Sequence, residues 1–279
     1  MSSEVKISFE VYPPRKPEAM GQLEEAILKL SALGADFISV TFGAGGSETK
    51  NSLDVLKFIR DNSSSTPLAH LTCVGTTRDQ AASIVEDFRK AGITDFLALR
   101  GDLPLSGQLP VGALERADQL VSLIAETSHG QGKIAVAAFP NGHPESHDSR
   151  RDVDALLAKQ EAGAHFALTQ LFFYAEDYFE FLKLARSRGV TIPIIPGIMP
   201  IISGKRLAKV IELTEEREPT ELAQRLETED SLVAKEAGID WAANLVRELV
   251  DGGVDAVHLY AFNEHKNVTE VLRRANLVS

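Results

Sequence analysis

Cysteine is almost missing from this chain. Cys73 is the only one in 279 residues, so neither an intramolecular disulfide nor a cysteine metal cluster can form. No run approaches the roughly 18 apolar residues of a membrane span. The start, MSSEVKISFE, has no cationic stretch leading into an apolar core. These absences argue against secretion and membrane insertion and make the cytoplasm the expected compartment. Positive charge is short as well. Against 40 acidic residues stand 29 basic ones, a formal charge of −11, which repels nucleic acid unless the cations are locally concentrated. A small anionic ligand gripped by one such cluster remains compatible with that balance. No low-complexity tract is present, and no repeat beyond the rhythm that follows.

That rhythm is the strongest feature present. Eight short β-prone runs lie at 6–12, 37–43, 68–74, 95–101, 133–139, 165–171, 191–199 and 256–263. Between them the spacing predicts helices at 17–32, 48–61, 77–90, 113–128, 149–162, 175–187, 204–214, 231–250 and 266–276. Six helices hand over to the next strand through a glycine: Gly34, Gly92, Gly132, Gly163, Gly189 and Gly253. A left-handed helix terminus favours glycine there. Eight β/α units predict an α/β fold of the (β/α)₈ TIM-barrel class, one domain over 1–279, with reactive groups where strands end and loops begin. Thr77 with Gln80 reads as a capping box and Ser231 as a bare cap. Leu23, Ala26, Ile27, Leu30 and Leu33 share a helix face that should pack on the barrel. The connection 203–253 is the longest and is expected to hold two helices, one of which could cover part of the mouth.

Several strand ends carry groups capable of chemistry. Alternation in SFEVY puts Ser8, Glu10 and Tyr12 on one face, so Glu10 should point toward the barrel axis, where burial would raise its pKa as a general acid requires. The alternative is a glutamate paired with a barrel cation. Arg100, Gly101 and Asp102 offer a cation, a close backbone approach and an acceptor, or else a local Arg–Asp pair in a turn. The loop Thr41-Phe42-Gly43-Ala44-Gly45-Gly46 could present N–H groups to a phosphate or ring carbonyl, or be a loop only. His70 and His143 could bind a cofactor or be structural; they lack a third ligand for zinc, and no metal is expected. Asp152 and Lys159 share a helix face, as a solvated pair or as a grip on a ribose and a pyrophosphate. Gln170 could read the edge of a planar ring or bond a neighbouring strand.

The series SFEVYPPR, SVTFGAGG, HLTC, ALRGDLP, VAAFPNGHPE, TQLFF and IIPGIMP resembles, in order and across essentially the whole chain, the motif series of the methylenetetrahydrofolate reductase family. The resemblance implies a flavin-dependent barrel that reduces 5,10-methylenetetrahydrofolate to 5-methyltetrahydrofolate with NADH or NADPH, through FAD, in a ping-pong reaction. It places the general acid on Glu10, which would protonate N10 and open the five-membered ring to an iminium. Asp102 would lie near the flavin and the pterin, and Gln170 on the pterin. Flavin contacts would fall on Thr41, Phe42, Ala44, His70, Arg100, Gly101, Phe139, His143, Asp152 and Lys159.

Three places depart from the family pattern. Ser106 to Gln119 contains no aromatic residue, Arg206 stands where glutamine is common, and Asn263-Glu264 replaces an Asn-Arg pair that holds folate. These bear on flavin affinity and on the folate tail, with Arg206 a candidate for the substrate. The competing readings are direct hydride transfer from NAD(P)H without flavin, a proline-dehydrogenase-like flavin barrel, and a catalytically silent barrel subunit. The sequence leaves the choice of NADH or NADPH and any homo-oligomer open.

Overall fold

The computed structural model describes residues 5–14, 16–41, 46–101, 110–146 and 148–279. Eight parallel strands close a ring in sequence order: β1 (Lys6–Val11), β2 (Phe37–Val40), β3 (Thr66–Thr72), β4 (Asp95–Leu99), β5 (Ile134–Ala138), β6 (Phe166–Leu171), β7 (Ile194–Ile198) and β8 (Ala256–Tyr260). The expected (β/α)₈ TIM barrel is the observed fold. Around the ring lie α1 (Met20–Ser31), α2 (Gly46–Asn62), α3 (Arg78–Lys90), α4 (Ala117–Thr127), α5 (Ser149–Glu161), α6 (Ala175–Ser187), α7 (Gly204–Thr214), α8 (Thr220–Leu226), α9 (Ser231–Asp251) and α10 (His265–Arg274).

Strand alternation sorts the core into two compartments. Phe9, Val11, Ile38, Val40, Ala69, Leu71, Phe96, Val136 and Leu259 face outward into the layer shared with the helices. Leu68, Leu97, Ala135 and Leu168, with Phe37, Phe166 and Ile195 against them, plug the lower interior. Above that plug the inward positions turn polar: Glu10, Ser39, His70, Gln170, His258 and Tyr260. The stripe on α1 is buried as expected at Leu23, Ala26, Ile27 and Leu30, with Leu33 packed partly against the same core. All six helix-to-strand glycines have positive φ, between 76° and 113°.

The connection after β7 differs from the expectation of two helices. It holds three, α7, α8 and α9. Glu215 turns left-handed at φ 57° and ends α7, and Pro219 then caps the short α8. The cap of α9 is Asp230 rather than Ser231, its carboxylate accepting from Leu232 N and Val233 N. Thr77 and Gln80 do form the capping box. Helix α4 starts four residues later than expected, because Ala113 is held in a bridge to Thr77 and Gln119 accepts from Arg116 N.

Candidate active site

Register brings the inward groups of neighbouring strands level. Glu10 pairs with Ser39 of β2 and with Tyr260 of β8, and Ser8 with His258. The Glu10 carboxylate, with 21% of its side chain exposed, has Oε2 at 3.4 Å from His70 Nε2 and 3.9 Å from His258 Nε2. Ser8 Oγ directs its one hydrogen to the Val257 carbonyl at 3.2 Å and lies 2.9 Å from His258 Nδ1. The serine therefore accepts from Nδ1–H, and Nε2 of a neutral His258 is left as an acceptor facing Glu10. Stacking on Phe37, at 5.6 Å between centroids, fixes the His258 ring.

Ser39 Oγ, His70 Nε2 and His258 Nε2 are buried without a hydrogen-bond partner among the described residues. Each such atom costs about 1–3 kcal/mol, and three around one carboxylate mark a place built for a polar ligand.

The expected rise in the Glu10 pKa is not what the site produces. Burial does push the carboxyl up, but the charge of His70, the approach and charge of His258, and the Ser39 hydroxyl together outweigh it and hold Glu10 below the ordinary glutamate range. Burial also holds His70 below the ordinary imidazole range, against the opposing pull of Glu10. Tyr260, half-buried beside them, donates to the Thr169 carbonyl at 2.8 Å, and its ring fits only because Gly197 has no side chain: a Cβ there would stand 2.9 Å from it.

A second cluster forms where β4 and β5 end. The Arg100 guanidinium is paired with Glu145. Asp152 accepts from Ser146 Oγ and from the His143 backbone N–H, and His143 packs edge-on against Phe139 at 4.7 Å. Lys159 donates to the Ala137 carbonyl at 2.9 Å, and burial pushes its ammonium down to about 8 although Asp152 opposes this. Asp152 and Lys159 are therefore not a solvated pair. Gly101, at φ 83°, lets the backbone approach Thr72, whose Cβ a side chain would meet at 3.0 Å.

Thr41 follows β2, its carbonyl accepting from Ser52 Oγ at 2.9 Å. Phe42, Ala44 and Asp102 lie outside the described residues. Gln170 is half-buried, its Oε1 accepting from Leu171 N. At the rim, Arg206 at the start of α7 lies over the Phe262 ring, 4.6 Å from its centroid. Phe262 and Asn263 are both left-handed, at φ 50° and 59°, and Asn263 clamps Tyr12 by bonding its N–H and its carbonyl. Two consecutive non-glycine residues in that region hold the rim under backbone strain. His258, Ser39, Tyr260 and Glu145 are site residues that sequence reasoning missed; inward parity on β2 and β8 was the available signal for the first three.

The model of the family described as methylenetetrahydrofolate reductase matches residues 1–276. The chain belongs to the methylenetetrahydrofolate reductase family. The 5,10-methylenetetrahydrofolate reductase of Escherichia coli (strain K12) is 35% identical over 265 residues, covering 94% of this chain and 88% of that protein. A probable methylenetetrahydrofolate reductase (NADPH) of Caenorhabditis elegans is 30% identical over 97% of this chain but only 42% of its own length. Among solved structures, a Clostridium thermocellum protein that binds two copies of 5-methyl-5,6,7,8-tetrahydrofolic acid superposes with a TM-score of 0.66 at 14% identity, covering 98% of this chain and 94% of that one; this likeness concerns the fold. Membership in this family of folate oxidoreductases supports methylenetetrahydrofolate reductase activity.

Proposed function

We propose that the chain reduces 5,10-methylenetetrahydrofolate to 5-methyltetrahydrofolate at the expense of NADH or NADPH, with Glu10 as the general acid. The observation that carries this reading is the ring of unpartnered polar atoms around an inward carboxylate at the open end of the barrel.

In the ligand-free site Glu10 is held ionised at neutral pH. A pterin covering the mouth would remove its remaining water and add to the burial that already favours the protonated form. A proton taken up from solvent would then rest on Glu10, beside the His258 imidazole that Ser8 fixes through Nδ1. Glu10 gives that proton to N10. The bond between N10 and the bridging carbon breaks with its electron pair going to nitrogen, and the iminium carbon left on N5 accepts hydride. Gln170, together with Asp102, would orient the pterin, and Arg206 at the rim would meet the anionic tail.

Arg100 and Lys159 supply two cations beside Asp152, His143 and Phe139, a set that fits an anionic dinucleotide such as FAD, with Thr41, Phe42, Ala44, His70, Gly101 and Asp102 completing the cofactor contacts. When bound, FAD would relay two electrons between NAD(P)H and folate, which imposes a ping-pong order. A second reading, direct transfer from NAD(P)H to the folate, is favoured by one feature: Glu145 and Asp152 already balance the two cations.

The deciding experiment is the spectrum of the purified protein followed by an assay for 5-methyltetrahydrofolate with NADH and with NADPH. Flavin bands with product support the first reading. Product without flavin supports the second, and no product with either donor refutes both.

A further inference from the structure

Arg100 and Glu145 meet end to end. The two terminal guanidinium nitrogens donate to the two carboxylate oxygens at 2.6 and 2.5 Å, while Nε turns to the Gly101 carbonyl at 3.2 Å. Arg100 follows β4, whereas Glu145 sits in the loop between β5 and α5, where its own N–H donates to His143 Nδ1 at 3.1 Å. The pair is shallow, with 30% of the Arg100 side chain and 51% of the Glu145 side chain exposed. Lys159 lies near enough to feel the charges of both Arg100 and Asp152. A two-pronged guanidinium contact is the arrangement that carboxylates and phosphates share. We propose that Glu145 is an internal stand-in anion, which fills the Arg100 fork in the ligand-free protein, gives way when a diphosphate-bearing dinucleotide binds, and thereby sets the affinity of this site for its cofactor.

The proposal rests on the reading of this cluster as a dinucleotide site. An exposed ion pair is weak, so its carboxylate can leave readily. Its charge matters more: removing the Glu145 carboxylate makes the field that meets the ligand at the Arg100 fork more positive. Replacing the carboxylate by an amide should tighten binding by about fivefold, the size of effect expected for one partly solvated charge pair.

The test is Glu145→Gln, titrated with FAD and with riboflavin, which lacks the diphosphate, by quenching of flavin fluorescence. The expected result is a Kd for FAD about fivefold lower than that of the unaltered chain, little change for riboflavin, and a gain that shrinks as salt is raised. Adding Arg100→Gln should erase the difference. Unchanged or weaker FAD binding in Glu145→Gln, an equal gain for riboflavin, or no FAD binding by either protein overturns the proposal. Folate reduction by the unaltered chain is measured separately, so failure of that reaction is distinguished from failure of the role given to Glu145.

Discussion

Glu10 Oε2 stands 3.4 Å from His70 Nε2, and the histidine is buried deeply enough that its pKa lies below the ordinary value of 6.5. Both partners titrate in the same sense. A depressed histidine contributes stability that is present above 6.5 and is lost as pH falls toward its folded value; a depressed glutamate contributes stability present above 4.5 and lost as pH falls through its own. The melting temperature should therefore decline on acidification below pH 6.5, and His70→Gln should flatten the upper part of that decline. A parallel decline in both proteins would contradict the assignment.

Glu10→Gln keeps the shape of the side chain and removes the transferable proton. Folate reduction should fall by about 10²- to 10⁴-fold, the range for loss of a general acid, while NAD(P)H-driven reduction of menadione persists. Equal loss of both reactions would show that Glu10 does something other than protonate the folate.

Arg206 lies over the Phe262 ring at the rim. Arg206→Ala should raise KM for the folate by about tenfold and leave kcat within a factor of two, as expected when an interaction common to ground and transition states is removed. Steady-state kinetics with substrate in excess separate the two constants.

Glu216 is buried in the connection between α7 and α8, where Asn141 donates to it at 2.6 Å and to Asp177 at 3.2 Å. Burial, reinforced by Asp177 against the hydrogen bond from Asn141, pushes its carboxyl up to about 7. A raised carboxyl leaves the fold penalised once pH exceeds that value, and the penalty disappears below the ordinary 4.5. Glu216→Gln, whose amide oxygen can still accept from Asn141, should therefore stabilise the protein by about 2 kcal/mol at pH 8 and by little near pH 4.5. Denaturant titrations at the two pH values give the comparison.

The barrel was readable because period-2 alternation and helix-terminating glycines are local signals, and Glu10 was readable for the same reason: parity along five residues fixes which way it points. Its ionisation was not, since the two imidazoles that hold it down come from β3 and β8, the latter 248 residues away in sequence. The Arg100 partner escaped similarly. The Glu145 carboxylate that its guanidinium meets lies 45 residues on. Helix α8 is only seven residues long and sits in the polar stretch around ELTEEREPTE, so no apolar period announces it. For Glu10 and Arg100, what local pattern leaves undetermined is a contact between distant segments.

Ser8 and Glu10 stand on the first strand, His258 and Tyr260 on the last, and these two strands pair with one another. A nascent chain still waiting for its final strand has Glu10 but neither the His258 imidazole nor the Tyr260 ring beside it. Closure of the ring at this one seam is therefore what assembles the candidate site from the two ends of the chain.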